Sequence, residues 1–570
     1  MQTINPLVAI AFMFPTDASS SFEEPADVWI RNGLVCDGSG GAPFKGSVVI
    51  RGDRIEAVLA DGAPPPDART VIDARGRVIA PGFVNMLSWS TESLIEDGRS
   101  QGEIRQGVTL EVMGEGFSMG PLNEAMKAEM LEQQGDLKFA VEWTSLNEYL
   151  EHLVRRGVSC NVASFVGATS VRIHELAYAD RAPTAEELAR MQELVRKAME
   201  EGALGVASAL IYAPGFYAKT DELVALCGAA APYGGRYISH LRSEGNRWLE
   251  SIDELLEIAR RAKVGAEIYH FKAAGKDNWS KIDAAIEKVE AARKEGLDVT
   301  ANMYTYTAGA TGFDAAMPPW VQEGGTKAWA ERLKDPEVRA RVKKEMTTPS
   351  DSWENLYLAS GGGEHILCAG FKNEALKPLT GKTLAEIARL RSTGLEDTIF
   401  DLVVEDGSRV SVVYFLMSED NVRRQVSLPW MAFCSDEASM APEGNFLKSN
   451  CHPRAYGSFA RALGKYARAE KAAPLTEIIR RLTSFPCDNL KIKERGQLEP
   501  GHFADVVVLD PSTIEDHATY ERSHQYATGV EHVFVNGTQV LKDGKHTGEK
   551  PGRVVRGPGW TGWRRPSSDR

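Results

Sequence analysis

After Glu24 the chain opens on short runs in which apolar and polar residues alternate. "ADVWIRNGLVCDGSG", "KGSVVIRGDRIEAVLA" and "TVIDARGRVIAPGF" keep a period of two and are broken by Gly, Asn and Asp. That is the pattern of antiparallel strands joined by polar turns. It returns near the other end in "GHFADVVVLDP" and "VEHVFVNGTQVLKDGKHTG". Neither region is long enough to enclose a core alone. The two are therefore expected to combine into one small β-sandwich, residues 25–80 with 490–556.

Between them the period changes. Eight apolar runs alternate with amphipathic stretches. The runs are "RVIAPGFVNML", "GVTLEVMGEG", "SCNVASFVGAT", "GALGVASALIY", "GRYISHLRS", "GAEIYHFKA", "LDVTANMYTY" and "PWMAFCSDEA". Stretches such as "LNEYLEHLVRRG" and "AEELARMQELVRKAMEEG" place apolar residues at i, i+3 and i+4, as helices do. Buried strands alternating with helices predict an α/β fold, a (β/α)8 TIM-type barrel over residues 81–318 and 426–489. A doubly wound open sheet is the runner-up, but no GxGxxG follows the first strand. Residues 319–425 are too many for one connecting helix and read as an insertion after strand seven, near the active site. The Gly-, Pro- and Trp-rich residues 557–570 read as an extended tail.

Composition narrows the partners. Lys plus Arg is 66 and Asp plus Glu is 79, a net charge of −13, which disfavours nucleic acid. The seven cysteines contain no CxxC and are odd in number, so reduced thiols in a cytoplasmic protein are expected. The apolar run Leu7–Phe14 is far shorter than the ~20 residues that span a bilayer. No Lys or Arg precedes it and no A-x-A site follows. Read as a signal remnant, it would imply a periplasmic or secreted protein instead. No membrane partner is expected, and a homo-oligomer is compatible with the sequence.

In a barrel the chemistry sits where strands end. Strand two ends in Glu115, strand five in His240, strand six in His270 and strand eight in Asp436. His240 and His270 are 30 residues apart, one helix plus one strand, which sets them side by side. Two imidazoles and converging carboxylates suit a zinc site with three protein ligands and a position left for water. Of the 11 histidines, these two are the candidates. Glu111, of the same strand parity as Glu115, is the fallback ligand.

"IAPGF", "ISHLRSEG", "YHFKAAG", "MSEDNVRR", "CSDEAS" and "HPRAYGSFARALGKYAR" together make the chain resemble the amidohydrolase superfamily, and within it the N-acyl-D-amino-acid deacylases. The resemblance runs roughly from Asp27 to Arg556. It implies a hydrolase that cleaves the amide of N-acyl amino acids, a small-molecule substrate, through a metal-activated water. Asp436 would act as general base and acid, and Glu115, His240 and His270 would hold one Zn2+ ion. Lys272, Tyr304 and Arg454 match positions that contact the substrate or its carboxylate in that family. The strand-one HxH of the superfamily is missing: Leu87 and Trp89 stand in "PGFVNMLSWST" instead, and are expected to line or seal the pocket. The family's strand-two cysteine is missing too, its place falling at Gly116 next to Glu115. The alternatives are an amidohydrolase for another bond (lactone, carbamate, ester or dipeptide) and a metal-free, non-catalytic barrel.

Overall fold

A computed structural model describes residues 24–564 of the chain. The run Leu7–Phe14 and the last residues of the tail lie outside that range. The first strands are β1 (Ala26–Val35), β2 (Phe44–Arg51), β3 (Arg54–Ala60), β4 (Ala68–Asp73) and β5 (Val78–Pro81). Along β1 buried and half-exposed residues alternate, as the period of two requires of a strand with one covered face.

A ring of parallel strands follows. Its members are β6 (Phe83–Asn85), β7 (Val108–Met113), β8 (Asn161–Ser164), β9 (Val166–Gly167), β10 (Gly205–Ala209), β11 (Arg236–His240), β12 (Ala266–Ile268) and β13 (Val299–Met303). Only Phe165 separates β8 from β9, so the two form one path. Then β14 (Ala308–Gly312), β15 (Ile366–Gly370) and β16 (Ser411–Phe415) form a separate antiparallel sheet, in the order β14-β16-β15. The chain returns to the ring in β17 (Met431–Phe433), which lies parallel to β13. Met86 N donates to Phe433 O and Asp436 N to Leu87 O, and these bonds close β17 onto the end of β6.

The ring strands are buried on both faces, as in β10 and β11, because helices cover the outside and side chains fill the inside. Val84, Leu87, Leu110, Phe165, Ile238 and Tyr269 belong to the inner layer. The outer helices begin where the sequence caps them. Ser145 and Glu148 form a reciprocal capping box at the helix Leu146–Arg156, and Thr184 and Glu187 do the same at Ala185–Glu200. Each such cap contributes about 1 kcal/mol.

The inserted segment has its own core, including Phe313, Trp329, Phe400 and Tyr414. Its sheet takes in β14, so its hydrogen bonding begins ahead of the expected boundary at residue 319. The last strands are β18 (Val506–Leu509), β19 (Val530–Val535), β20 (Thr538–Lys542) and β21 (Lys545–His546). They join the first five in one nine-stranded sheet, ordered β21-β20-β19-β18-β5-β1-β2-β3 with β4 beside β1. Ile55 of β3 and Phe534 of β19 share one apolar cluster, so this sheet curls over its own core. Beyond it, Gly552 N donates to Val158 O and Val555 N to Val162 O, so the tail straps the end of the ring opposite the strand C-termini. Trp560 and Trp563 pack edge to face there, 5.1 Å apart. No helix among the described residues is long and apolar enough to cross a membrane, and all seven cysteines are buried and unpaired.

Candidate metal centre

The C-terminal ends of the ring strands converge on one cluster. Glu115 Oε1 lies 3.1 Å from His240 Nδ1 and 2.9 Å from His270 Nε2. The two imidazole rings are 4.5 Å apart and nearly perpendicular. All three side chains are buried, and their ligand atoms lie within 4.8 Å of one another. Among the described residues this is the sole such group of three or more His, Cys, Asp or Glu. Ligands of a tetrahedral zinc with ~2.1 Å bonds stand about 3.4 Å apart, so the donor set fits that ion with little movement.

Local backbone explains how a loop glutamate reaches the strand-end histidines. Glu115 sits between Gly114 and Gly116, with φ of 109° and 64°. A Cβ on Gly114 would stand 2.4 Å from Phe165 O, and one on Gly116 2.9 Å from Ala209 N. Only glycine permits both the left-handed turn and the close approach. His270 is not the last residue of its strand: β12 ends at Ile268. His270 takes φ of 34° and donates its backbone N–H to Asn302 Oδ1 at 2.8 Å. Asp436 likewise has φ of 52°. Strain of this kind persists where the surroundings over-determine it, as at functional sites.

Burial pushes the Glu115 carboxyl up, but the charges and hydrogen bonds of His270 and His240 outweigh burial and hold it below the ordinary carboxylate range. Burial and Lys272 push the His270 imidazole down, yet Glu244 and Glu115 bring it to about 9. Burial raises the Asp436 carboxyl, opposed by Arg454. Asp436 Oδ1 accepts a hydrogen bond from Trp89 Nε1 at 3.2 Å, and Oδ2 lies 2.7 Å from Arg454 Nη1.

These residues share a cavity of about 540 Å3. Glu115, His240, His270, Asp436, Lys272, Tyr304, Arg454 and Trp89 all line it. Leu87 does not: its side chain is fully buried in the inner layer of the ring, so the expectation that it lines the pocket is corrected. Glu111 is elsewhere too, bonded to Ser88 and Ser100. Tyr304 lies under two cations, with the Arg454 guanidinium 4.5 Å and Lys272 Nζ 5.5 Å from its ring centre. Lys272 Nζ is committed to Glu244 Oε1 at 2.6 Å. Arg454 Nε is buried without a hydrogen bond, 3.6 Å from Glu437 Oε2. A larger cavity of about 1090 Å3 adjoins this one at Ala274 and Leu416, but it contains none of the cluster.

Three residues were missed by reasoning from sequence. Glu244, in "ISHLRSEG", contacts Lys272 and both histidines. Glu437, which lines the cavity beside Asp436, is pushed up to about 7 by burial. His452 takes a hydrogen bond from the Arg454 backbone N–H on Nδ1 and reaches Ala308 O through Nε2. Carboxylates beside strand-end motifs were the available signal for the first two.

Known proteins resemble this chain in sequence and in fold. The sequence profile of the amidohydrolase family matches residues 448–541. A D-aminoacylase of Alcaligenes xylosoxydans xylosoxydans is 30% identical over 543 residues, which span 94% of this chain and 99% of that one. A solved D-aminoacylase, described with a binuclear metal centre activated by one metal and attenuated by the second, superposes with a TM-score of 0.77. Its identity is 30%, over 93% of this chain and 100% of that one. The N-acyl-D-glutamate deacylase of Bordetella bronchiseptica, complexed with zinc and a phosphonate mimic of the tetrahedral intermediate, gives 0.76 at 27% identity, over 94% and 100% of the two chains. The chain belongs to the D-aminoacylase family of amidohydrolases.

Proposed function

We propose that this chain hydrolyses the amide bond of N-acyl amino acids with one zinc ion held by Glu115, His240 and His270. The observation that carries the reading is the convergence of Glu115 Oε1, His240 Nδ1 and His270 Nε2 in a cavity that Asp436 also lines. Zinc held there would lower the pKa of a water to about 7 and polarise the scissile carbonyl.

The chain's own residues do the rest. The Arg454 guanidinium draws charge from Asp436 Oδ2, which leaves Oδ1 the more basic oxygen. Oδ1 takes the proton of the attacking water and returns it to the departing amine nitrogen. Burial, by raising the affinity of Asp436 for a proton, suits it to both halves of that transfer. The Arg454 guanidinium, shared between Asp436 and Glu437, is the cation in the cavity suited to a carboxylate on the substrate, and the Tyr304 ring beneath holds it flat. Trp89, Phe117, Tyr212 and Phe371 give the cavity an aromatic wall for an acyl group or side chain.

A single ion is favoured by strand one. Trp89 offers no ligand atom, and its N–H takes one lone pair of Asp436 Oδ1, leaving the other for the proton. The test is zinc content after purification, together with hydrolysis of paired D- and L-N-acyl amino acids. One equivalent of zinc and amide hydrolysis support the reading. Protein that holds no zinc and has no hydrolytic rate on the panel overturns it.

A further inference from the structure

Each ligand imidazole has a second nitrogen, and both second nitrogens face one carboxylate. His270 Nδ1 is 2.8 Å from Glu244 Oε1. His240 Nε2 is 3.6 Å from Glu244 Oε2, and it is buried without a hydrogen-bond partner. An imidazole that gives one nitrogen to a metal must carry its proton on the other, and that N–H needs an acceptor. Glu244 is within hydrogen-bond reach of the His270 ring and is the carboxylate that faces His240 Nε2, at 3.6 Å.

Lys272 makes the requirement sharper. Its Nζ stands 2.7 Å from His270 Nδ1, 2.6 Å from Glu244 Oε1 and 3.0 Å from His270 O. An ammonium has three donors and no acceptor. Lys272 is within donating distance of His270 Nδ1 even beside the carboxylate; Glu244 Oε1 and His270 O draw its protons away, and without Glu244 it would donate to Nδ1 unopposed. The imidazole proton would then sit on Nε2, the nitrogen turned toward Glu115. That tautomer cannot bind a metal there.

The loop that carries Glu244 is held from outside the ring. Ser243 Oγ donates to Glu354 Oε2 at 2.6 Å and Glu244 N to Glu354 Oε1 at 3.3 Å, and Glu354 belongs to the inserted segment. Ala274 N, on the strand-six loop, donates to Glu244 O at 2.8 Å. The backbone at Glu244 is thus held by the inserted segment and by the strand-six loop.

We infer that Glu244 is the positioning residue of the metal centre, one carboxylate that accepts the second N–H of His270, stands nearest the second nitrogen of His240, and competes with His270 Nδ1 for the protons of Lys272. The inference rests on the zinc reading above. Its test is the zinc dissociation constant of the full chain, measured by competition with a chromophoric chelator, with folding checked by circular dichroism. Glu244→Gln is expected to weaken zinc 10- to 100-fold, the usual loss when the partner of a ligand histidine is removed. Glu244→Gln with Lys272→Met is expected to recover most of that loss, because the competing donor is gone. A role confined to packing would not be rescued by a second lesion. Zinc binding within threefold of wild type in folded Glu244→Gln overturns the inference and leaves the zinc reading standing. Failure of the double variant to recover affinity overturns the tautomer argument. If Glu244→Gln does not fold, Glu244→Asp applies, and unchanged affinity there counts against the inference in the same way. Wild-type protein that takes up no zinc overturns both.

Discussion

Trp89 aims its indole N–H at Asp436 Oδ1 from 3.2 Å, tying together the loops that follow the neighbouring strands β6 and β17. The hydrogen bond favours the ionised carboxylate, and hydrolysis needs that form to accept a proton. Trp89→Phe keeps the ring and removes the donor. A hydrogen bond to a charged group contributes about 1.5 kcal/mol, or roughly one pKa unit. The acid limb of the kcat/KM profile is expected to move to higher pH by up to that amount. A pH–rate profile of the variant that overlays wild type would refute the coupling.

Asp436 is not among the three ligands, so its loss should separate chemistry from metal binding. Asp436→Asn is expected to lower kcat by about 10^2- to 10^4-fold, the usual contribution of a general base. Zinc content should stay at the wild-type level. Metal analysis beside steady-state kinetics checks both halves, and loss of zinc would make Asp436 a ligand.

Zinc uptake should depend on pH through His270. Burial and Lys272 disfavour its proton, but Glu244 and Glu115 hold the imidazole at about 9. Below that value a cation must displace the proton in order to bind. Apparent affinity is therefore expected to rise up to tenfold per unit from about pH 6 to 8, with proton release seen by calorimetry in two buffers. Affinity that is flat across that range would contradict the assignment.

Glu354 carries a stability signature of its own. Burial raises its carboxyl from 4.5 to about 7. A carboxyl raised in the folded state contributes stability that is present in full below its unfolded pKa and is lost as pH rises through the folded one. For this group the loss is on the order of 3 kcal/mol. Relative to Glu354→Gln, wild type should lose that much between about pH 4.5 and 8 in denaturant unfolding. Parallel curves for the two proteins would show that Glu354 is not buried as a free acid.

Sequence reading reached the residues that strand ends carry, because in a ring of parallel strands position along the strand decides depth. Glu115, His270 and Asp436, read as strand ends, lie two or three residues beyond β7, β12 and β17; His240 closes β11 and was legible in that way. Leu87 was not, because parity alone does not tell the packed inner layer from the cavity wall one residue pair above it. Glu244 escaped notice for another reason. Its meaning depends on a loop folded back over two histidines and pinned by the inserted segment, which no local period encodes. The same holds for Asn302, whose side chain fixes the turn at His270 from the neighbouring strand.

The pairing of β5 with β18 has a consequence in time. Val78 faces Leu509 and Pro81 faces Val506, so β5 waits for a partner made more than 400 residues later. At ~5–20 residues per second that interval is tens of seconds. During it β5 presents an unpaired apolar edge, the kind of surface that recruits other chains. Shielding of that edge while the chain is made is therefore expected to raise the yield of folded protein.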